Sequence, residues 1–167
     1  MKNTIIVASA VLLIIVGLFL WGKVGSSRSA NFAILATGST AAAITDAISV
    51  YDFGLVSMLK GNVEHEFAIQ NTTAAEVTVT QVETSCMCTR AIIKLPDGKE
   101  MGPFGMPGHG FVPSVNAVIR PGEKIMVRAI FDPAAHGPAG IGKIERAVTL
   151  TTNNGPILMQ FKAEVAP

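Results

Sequence analysis

The stretch ILMQFKAEV, residues 157–165, decides the fold predicted for this chain. Every second residue in it is apolar, and the charged residues Lys162 and Glu164 stand between apolar ones. Successive side chains of a β-strand point to opposite faces, so this period of two predicts a strand with one face in a core and the other in water. The set expected to face the core is Ile157, Met159, Phe161, Ala163 and Val165.

The same period recurs in three other stretches, and turn signals separate them. Their expected inward sets are Val63, His65, Phe67 and Ile69; Ile125, Val127, Ala129 and Phe131; and Ile144, Val148 and Leu150. The turn signals are Lys60-Gly61-Asn62, Asp97-Gly98, Pro121-Gly122 and Asn154-Gly155. Of these, Asn154-Gly155 favours a two-residue turn that joins the last two strands into a hairpin.

Three shorter apolar stretches, at residues 49–53, 77–82 and 89–95, bring the total to about seven strands in roughly 120 residues, a number typical of immunoglobulin-like domains. We therefore predict an all-β protein: an immunoglobulin-like antiparallel β-sandwich preceded by a single N-terminal transmembrane helix.

The sequence of the N-terminal segment predicts that it inserts into a membrane. Residues 5–21 form an unbroken apolar run, which as a helix would be roughly 26 Å long, close to the ~30 Å of a bilayer core. We expect residues 1–22 to be a transmembrane anchor, 23–47 a linker rich in Gly, Ser, Thr and Ala, and 48–167 the sandwich. A cleaved signal peptide is the alternative, with a weak cleavage site near Gly25-Ser26-Ser27. The predicted location is the cell membrane, with the C-terminal domain outside the cytoplasm.

Charge and motifs exclude several functions. The chain has 13 basic and 12 acidic residues, which leaves no basic patch of the kind that binds nucleic acid. It also has no His-Glu-x-x-His motif, no phosphate-binding glycine loop and no Gly-x-Ser-x-Gly elbow. We expect a binding module with a protein partner rather than an enzyme.

Several short motifs, taken in order, resemble a known family. They are Tyr51-Asp52-Phe53-Gly54, His65-x-Phe67, Asn71-Thr72, Ser85-Cys86-Met87-Cys88-Thr89, Pro121-Gly122-Glu123 and Phe131-Asp132. The pattern is similar to an exported bacterial immunoglobulin-like family, domain-of-unknown-function family 1573, which is related to Hydin and major-sperm-protein-like modules. The resemblance spans about residues 48–166 and implies a fold and an exported context, without an activity. Met87 departs from it, since the family has Gly between the two cysteines.

Cys86 and Cys88 are the only cysteines of the chain, and their spacing leaves three alternatives. A disulfide between them would close a very small ring. On an extended strand both thiols would point the same way and could bind a soft metal ion such as Cu(I). They could also be small buried core residues.

Further soft ligands lie in two irregular loops. Residues 100–111 carry Met101, Met106 and His109, and a second loop rich in Pro and Gly carries His136. Thioether, thiolate and imidazole are ligands that copper prefers, although Met106-Pro107-Gly108 could equally be a plain turn. We predict that Asp97-Gly98 reverses the chain after Leu95 and that these four residues join Cys86 and Cys88 in a copper(I) site. The alternative function is a thiol/disulfide redox protein that uses the Cys-x-Cys pair.

Overall fold

The computed structural model of the chain describes residues 48–110 and 113–167. All of them lie within one compact unit, Thr40–Pro167. The predicted anchor and linker, residues 1–47, lie outside the described residues. Within the described residues, no helix has the length and apolar character needed to span a bilayer.

Nine strands make up the secondary structure of the described residues, together with two short 3₁₀ turns at Met58–Lys60 and Gly137–Gly140. The strands are β1 (Ile48–Ser57), β2 (Val63–Gln70), β3 (Val77–Thr84), β4 (Thr89–Lys94), β5 (Glu100–Phe104), β6 (Ala117–Ile119), β7 (Lys124–Phe131), β8 (Gly142–Thr152) and β9 (Gly155–Ala166).

The strands form two sheets that bury their inner faces against one another. One sheet has the order β1-β9-β8-β3-β6 and the other β2-β7-β4-β5. The pairings are antiparallel except that β1 runs parallel to β9, with Ile48 opposite Leu158 and Ser57 opposite Ala166. The predicted all-β, immunoglobulin-like sandwich is therefore confirmed for the described residues, with one parallel pair that was not predicted.

The core follows the predicted alternation closely. Every predicted inward residue of β7 and β9 is buried, and burial of each large aliphatic or aromatic side chain contributes about 1.5–3 kcal/mol. On β2 and β8 the inner residues Phe67, Ile69, Val148 and Leu150 are buried. Nearer the other end of these strands, Val63, His65 and Ile144 are only half-buried.

Two strands were missed because their sequences carry no period. The Asp97-Gly98 turn does reverse the chain, and β5 pairs with β4, but its Gly102-Pro103 pair hides the strand. Pro is tolerated there because β5 is an edge strand. A side chain at Gly102, whose φ is +125°, would place its Cβ 2.8 Å from the carbonyl oxygen of Ala91. The other missed strand, β6, has only three residues.

The hairpin of β8 and β9 is confirmed, with its turn one residue earlier than predicted. Thr152 pairs with Gly155, so Asn153 and Asn154 are the central turn residues. The side-chain oxygen of Asn153 accepts a 2.9 Å hydrogen bond from the backbone N–H of Thr78. This contact with β3 stabilises Asn153 as a central residue of the turn.

Candidate functional site

The two cysteines lie in the turn that joins β3 to β4 rather than on a strand. The buried hydroxyl of Thr84 spans this turn, with its Oγ1 3.0 Å from the carbonyl oxygen of Cys86 and 3.1 Å from that of Thr89. The N–H of Thr89 also donates to the carbonyl of Cys86, at 3.1 Å. The extended geometry, which the metal alternative assumed, is therefore not the one observed, because local hydrogen bonds fold the Cys-Met-Cys segment into a turn.

Cys86 and Cys88 form a disulfide, with their Cα atoms 5.3 Å apart. Cys86 is 8% exposed and Cys88 2%, so the burial expected as one alternative is also present. Met87 stands between them and is 51% exposed. The turn therefore buries both cysteines and exposes the thioether side chain of Met87.

His136 approaches the first sulfur from the connection between β7 and β8. The backbone N–H of Asp132 donates to the carbonyl of Cys88 at 2.9 Å, and the Asp132 carboxylate accepts from Ala134 N at 2.9 Å. These bonds hold the connection beside the cysteine turn. The Nε2 atom of His136 lies 3.2 Å from Cys86 Sγ, and the ligand atoms of Cys86, Cys88 and His136 all lie within 4.8 Å of one another.

Because Gly140 has no side chain, the side chain of His136 can pack closely against it. A Cβ at Gly140 would lie 3.2 Å from the Cβ of His136 and 3.6 Å from the Cε of Met58. The short 3₁₀ turn that contains Gly140 therefore packs against both side chains.

Arg146 approaches the second sulfur from β8. Its Nε–H donates to Cys88 Sγ at 3.3 Å, and its Nη1 donates to the carbonyl of Glu145 at 2.7 Å. The side chain is half-buried, so its charge is less screened by water than that of a surface arginine. Sequence analysis missed Arg146, although its parity places it at the inward position between Ile144 and Val148. A charge at an inward position of an alternating strand was the available signal.

The structure brings three of the six predicted ligands together, namely Cys86, Cys88 and His136. Met101 pairs with Ile93, four residues along β4 from Thr89, or roughly 13 Å at about 3.3 Å per residue. Met106 begins a turn in which His109 N donates to the Met106 carbonyl at 3.2 Å, as the plain-turn alternative expected. It follows Gly105, whose carbonyl accepts from Thr84 N at 3.2 Å beside the cysteine turn. His109 is exposed and is not part of the cluster of Cys86, Cys88 and His136.

His65, expected to be a packed core residue, lies at the edge of the core. Its ring stacks on Tyr51 with centroids 3.6 Å apart and meets Phe67 edge-on at 4.7 Å. Burial lowers the pKa of His65 below its usual value of 6.5, against the opposing charge of Glu66. The side chain packs and offers no ligand to the sulfur site.

Comparisons with known proteins found one matching family model and a number of similar solved structures. The model of the family named protein of unknown function DUF1573 matches residues 44–97, a segment that includes the cysteine turn, and this match confirms the family resemblance. No curated protein is significantly similar to this chain in sequence.

Three solved structures illustrate the structural neighbours. A protein of unknown function from Porphyromonas gingivalis W83 is 18% identical, with a TM-score of 0.49, over 73% of this chain and 50% of that protein. The chain therefore spans only about half of that protein. The ASH/PapD-like domain 7 of human CEP192 is 9% identical, with a TM-score of 0.43, over 84% of this chain and 97% of that domain. The periplasmic chaperone SfaE is 13% identical, with a TM-score of 0.34, over 75% of this chain and 57% of that protein.

Proposed function

We propose that this chain is a non-catalytic, membrane-anchored immunoglobulin-like binding module outside the cytoplasm, and that its reduced cysteine pair binds Cu(I) together with His136. The observation that carries the proposal is the cluster of two sulfurs and one imidazole nitrogen within 4.8 Å. Reduction of the disulfide would turn its sulfurs into two thiolate ligands.

The type of ligand favours copper(I) over the other common metals. Thiolates select soft ions such as Cu(I), and imidazole is also a good copper ligand. A structural zinc site normally has four protein ligands, whereas the described residues supply three in this cluster. Loading must also follow reduction, because a metal binds deprotonated cysteine thiolates.

The proposed location rests on the sequence and on the disulfide. The apolar run at residues 5–21 is long enough for an anchor, and the family resemblance implies export. Disulfides persist mainly in oxidising compartments. A protein partner would meet exposed apolar side chains such as Met87 in the cysteine turn, which is 51% exposed, and Leu59, which is 90% exposed.

The decisive experiment is an anaerobic Cu(I) titration of the full chain in detergent, after phosphine reduction, against a coloured Cu(I) chelator. We expect one Cu(I) per chain, no binding by Cys86→Ser or Cys88→Ser, and weaker binding by His136→Ala. His65→Gln is the matched control, since His65 packs on Tyr51 away from the sulfurs. Absence of binding by the wild type, or binding that survives the double cysteine replacement, would refute the metal site.

The membrane proposal has a separate test. A reporter fused after Pro167 should be active outside the cytoplasm, and the full-length chain should stay with membranes after washing in alkaline carbonate. Release of a shortened chain into the soluble fraction would show instead that the N-terminal segment is a cleaved signal.

A second candidate function is thiol/disulfide exchange, and the contact between Arg146 and Cys88 favours it. A guanidinium group beside a sulfur stabilises that sulfur as a thiolate, which is the reactive form of cysteine. The two functions are compatible, since exchange would convert the closed disulfide into the open metal site.

A further inference from the structure

We infer that a small thiol opens the disulfide by attacking Cys86, and that Cys88 then leaves as a thiolate held by Arg146. This inference rests on the exchange function proposed above and assigns different roles to the two sulfurs. It also gives Arg146, which no motif in the sequence marks, the role of a positioning residue.

The two sulfurs have different neighbours. Cys88 Sγ accepts a hydrogen bond from Arg146 Nε at 3.3 Å and lies 3.7 Å from the hydroxyl of Thr89. Cys86 Sγ lies 3.2 Å from the ring of His136 and accepts from the N–H of Cys88 at 3.3 Å. Only Cys88 therefore has a guanidinium group as its direct partner.

The leaving sulfur of an exchange reaction carries away the electron pair of the broken bond, so a cationic hydrogen-bond donor already beside that sulfur helps it to leave. An opposite charge within about 4–6 Å favours the charged form of a group. At Cys88 this charge comes from a half-buried arginine, and the residue itself is only 2% exposed, so solvent screening is weak. These conditions make Cys88 the better leaving group.

The attacked sulfur must be reachable from outside. Cys86 keeps 8% of its surface exposed, and its partner His136 is an exposed side chain of a surface connection. Because so little of Cys86 is exposed, a small thiol of the glutathione type fits this attack better than a cysteine held in a folded protein. Cys86 is therefore the entry point.

The electrons and atoms balance over two attacks. In the first, an external thiolate RS⁻ bonds to Cys86 Sγ, the Cys86–Cys88 bond breaks, and its electron pair stays on Cys88 as a thiolate. In the second, another RS⁻ attacks the external sulfur of the mixed disulfide, which releases RSSR and leaves Cys86 as a thiolate beside His136. Two external thiols are oxidised to one disulfide, and the protein gains two electrons and an open pair of ligands.

The experiment follows glutathione into the oxidised full chain in detergent. The reaction is quenched with acid at short times, and tandem mass spectrometry of the cysteine peptide locates the adduct. We expect the adduct on Cys86 at about tenfold or greater excess over Cys88, because only Cys88 has a guanidinium group beside it as it leaves. An even distribution, an excess on Cys88, or no mixed disulfide at all would overturn the inference.

Arg146 is tested through the position of the adduct. In Arg146→Met, the excess of the Cys86 adduct over the Cys88 adduct should fall several-fold, because Cys88 would leave without a guanidinium partner. Arg146→Lys should restore part of the excess. The matched control is Arg128→Met, since Arg128 is also half-buried but pairs with Glu64 and Glu100. An adduct ratio that does not respond to Arg146→Met would contradict the assigned role even if that variant is less stable.

This inference and the metal proposal can fail separately. Adducts on Cys86 in a chain that binds no Cu(I) after phosphine reduction would leave the exchange mechanism intact and refute the metal site. Cu(I) binding in a chain whose adducts are evenly distributed would do the reverse.

Discussion

The two ends of the four-stranded sheet differ in how they use polar groups. At one end, here the Asn end, Asn71 follows β2. At the other, the Cys end, the cysteine turn precedes β4 and residues 132–141 follow β7. Pairing of Gln70 with Lys124 and of Val63 with Phe131 places them at opposite ends of β2 and β7.

At the Asn end, both polar side-chain atoms of the buried Asn71 are hydrogen-bonded. The Nδ2 of Asn71 donates to the carbonyls of Ala75 and Ile119, each at 2.8 Å, and its Oδ1 accepts from Thr73 N at 2.9 Å. Its backbone also exchanges hydrogen bonds with the turn before β7, at 2.9 Å and 2.7 Å. The side chain and backbone of Asn71 therefore find their hydrogen-bond partners within the protein.

At the Cys end the interacting groups can still change state. In the proposed functions the disulfide would be reduced, the imidazole would bind a metal, and the guanidinium would stabilise a thiolate. They come from three separate segments, since His136 and Arg146 lie 50 and 58 residues from their sulfur partners. The sandwich thus places its structural polar groups at one end and the groups of the proposed reactive site at the other.

The largest effect should come from Asn71→Ala. It removes the donors to two carbonyls and the acceptor for one N–H, and an unsatisfied buried group costs about 1–3 kcal/mol. We expect a loss of about 3 kcal/mol in the free energy of unfolding, measured by urea denaturation with far-ultraviolet circular dichroism. Asn154→Ala, in the exposed β8–β9 turn, is the control. A loss below about 1 kcal/mol, or a loss of Cu(I) affinity in the folded variant, would break the proposed division between the two ends.

His136→Ala should have the opposite profile. We expect Cu(I) affinity to fall by roughly tenfold or more because one ligand is lost. The free energy of unfolding should change by no more than about 0.5 kcal/mol, since the side chain is exposed. His109→Ala separates the sequence prediction from the observed cluster. Unchanged affinity supports the cluster, and a loss comparable to that of His136→Ala would restore the loop at residues 100–111 as part of the site.

His65 supplies a smaller, pH-dependent effect. Its pKa in the folded protein is lowered, mainly by burial against Tyr51, so the unfolded chain binds more protons below the usual value of 6.5. Stability should therefore be fully present above that value and fall as the pH drops through it. His65→Phe should reduce this slope between about pH 5 and 7, as measured by urea denaturation at each pH. A slope that is unchanged, or one that is steeper, would contradict the assignment.

The smallest effect should come from Gly140→Ala. The new Cβ would lie 3.2 Å from the Cβ of His136, so the ring must move by a few tenths of an ångström. We expect a several-fold loss of Cu(I) affinity, corresponding to about 1 kcal/mol, with near-normal stability. Gly105→Ala is the control, because nothing lies within 4 Å of its Cβ position. Equal affinity in the two variants would show that His136 tolerates displacement.

Sequence period was sufficient for the core and insufficient for the site. The alternation of Ile125 to Phe131 and of Ile157 to Val165 predicted the buried faces because strand geometry is local. The position of His136 depends on how the connection after β7 folds back onto the cysteine turn, which no local pattern encodes.

Two errors near the sulfurs had more specific causes. The metal alternative put the cysteines on an extended strand because their spacing suits one, but the hydroxyl of Thr84 and the N–H of Thr89 stabilise a turn. Arg146 went unnoticed because charged strand residues are usually outward-facing. Arg146 alternates in step with Ile144 and Val148, and this position indicates an inward-facing side chain, which its charge alone does not.

The parallel pairing of β1 with β9 gives the proposed tethered protein a direction. β1 starts beside Leu158, toward the β8–β9 turn, and ends at Ser57, whose hydroxyl donates to the carbonyl of Pro167 at 2.9 Å. The chain thus enters β1 toward the Asn end and leaves β9 at the Cys end. The segment before Ile48 therefore joins the sandwich at the Asn end, whereas the disulfide with its histidine and arginine lies at the Cys end.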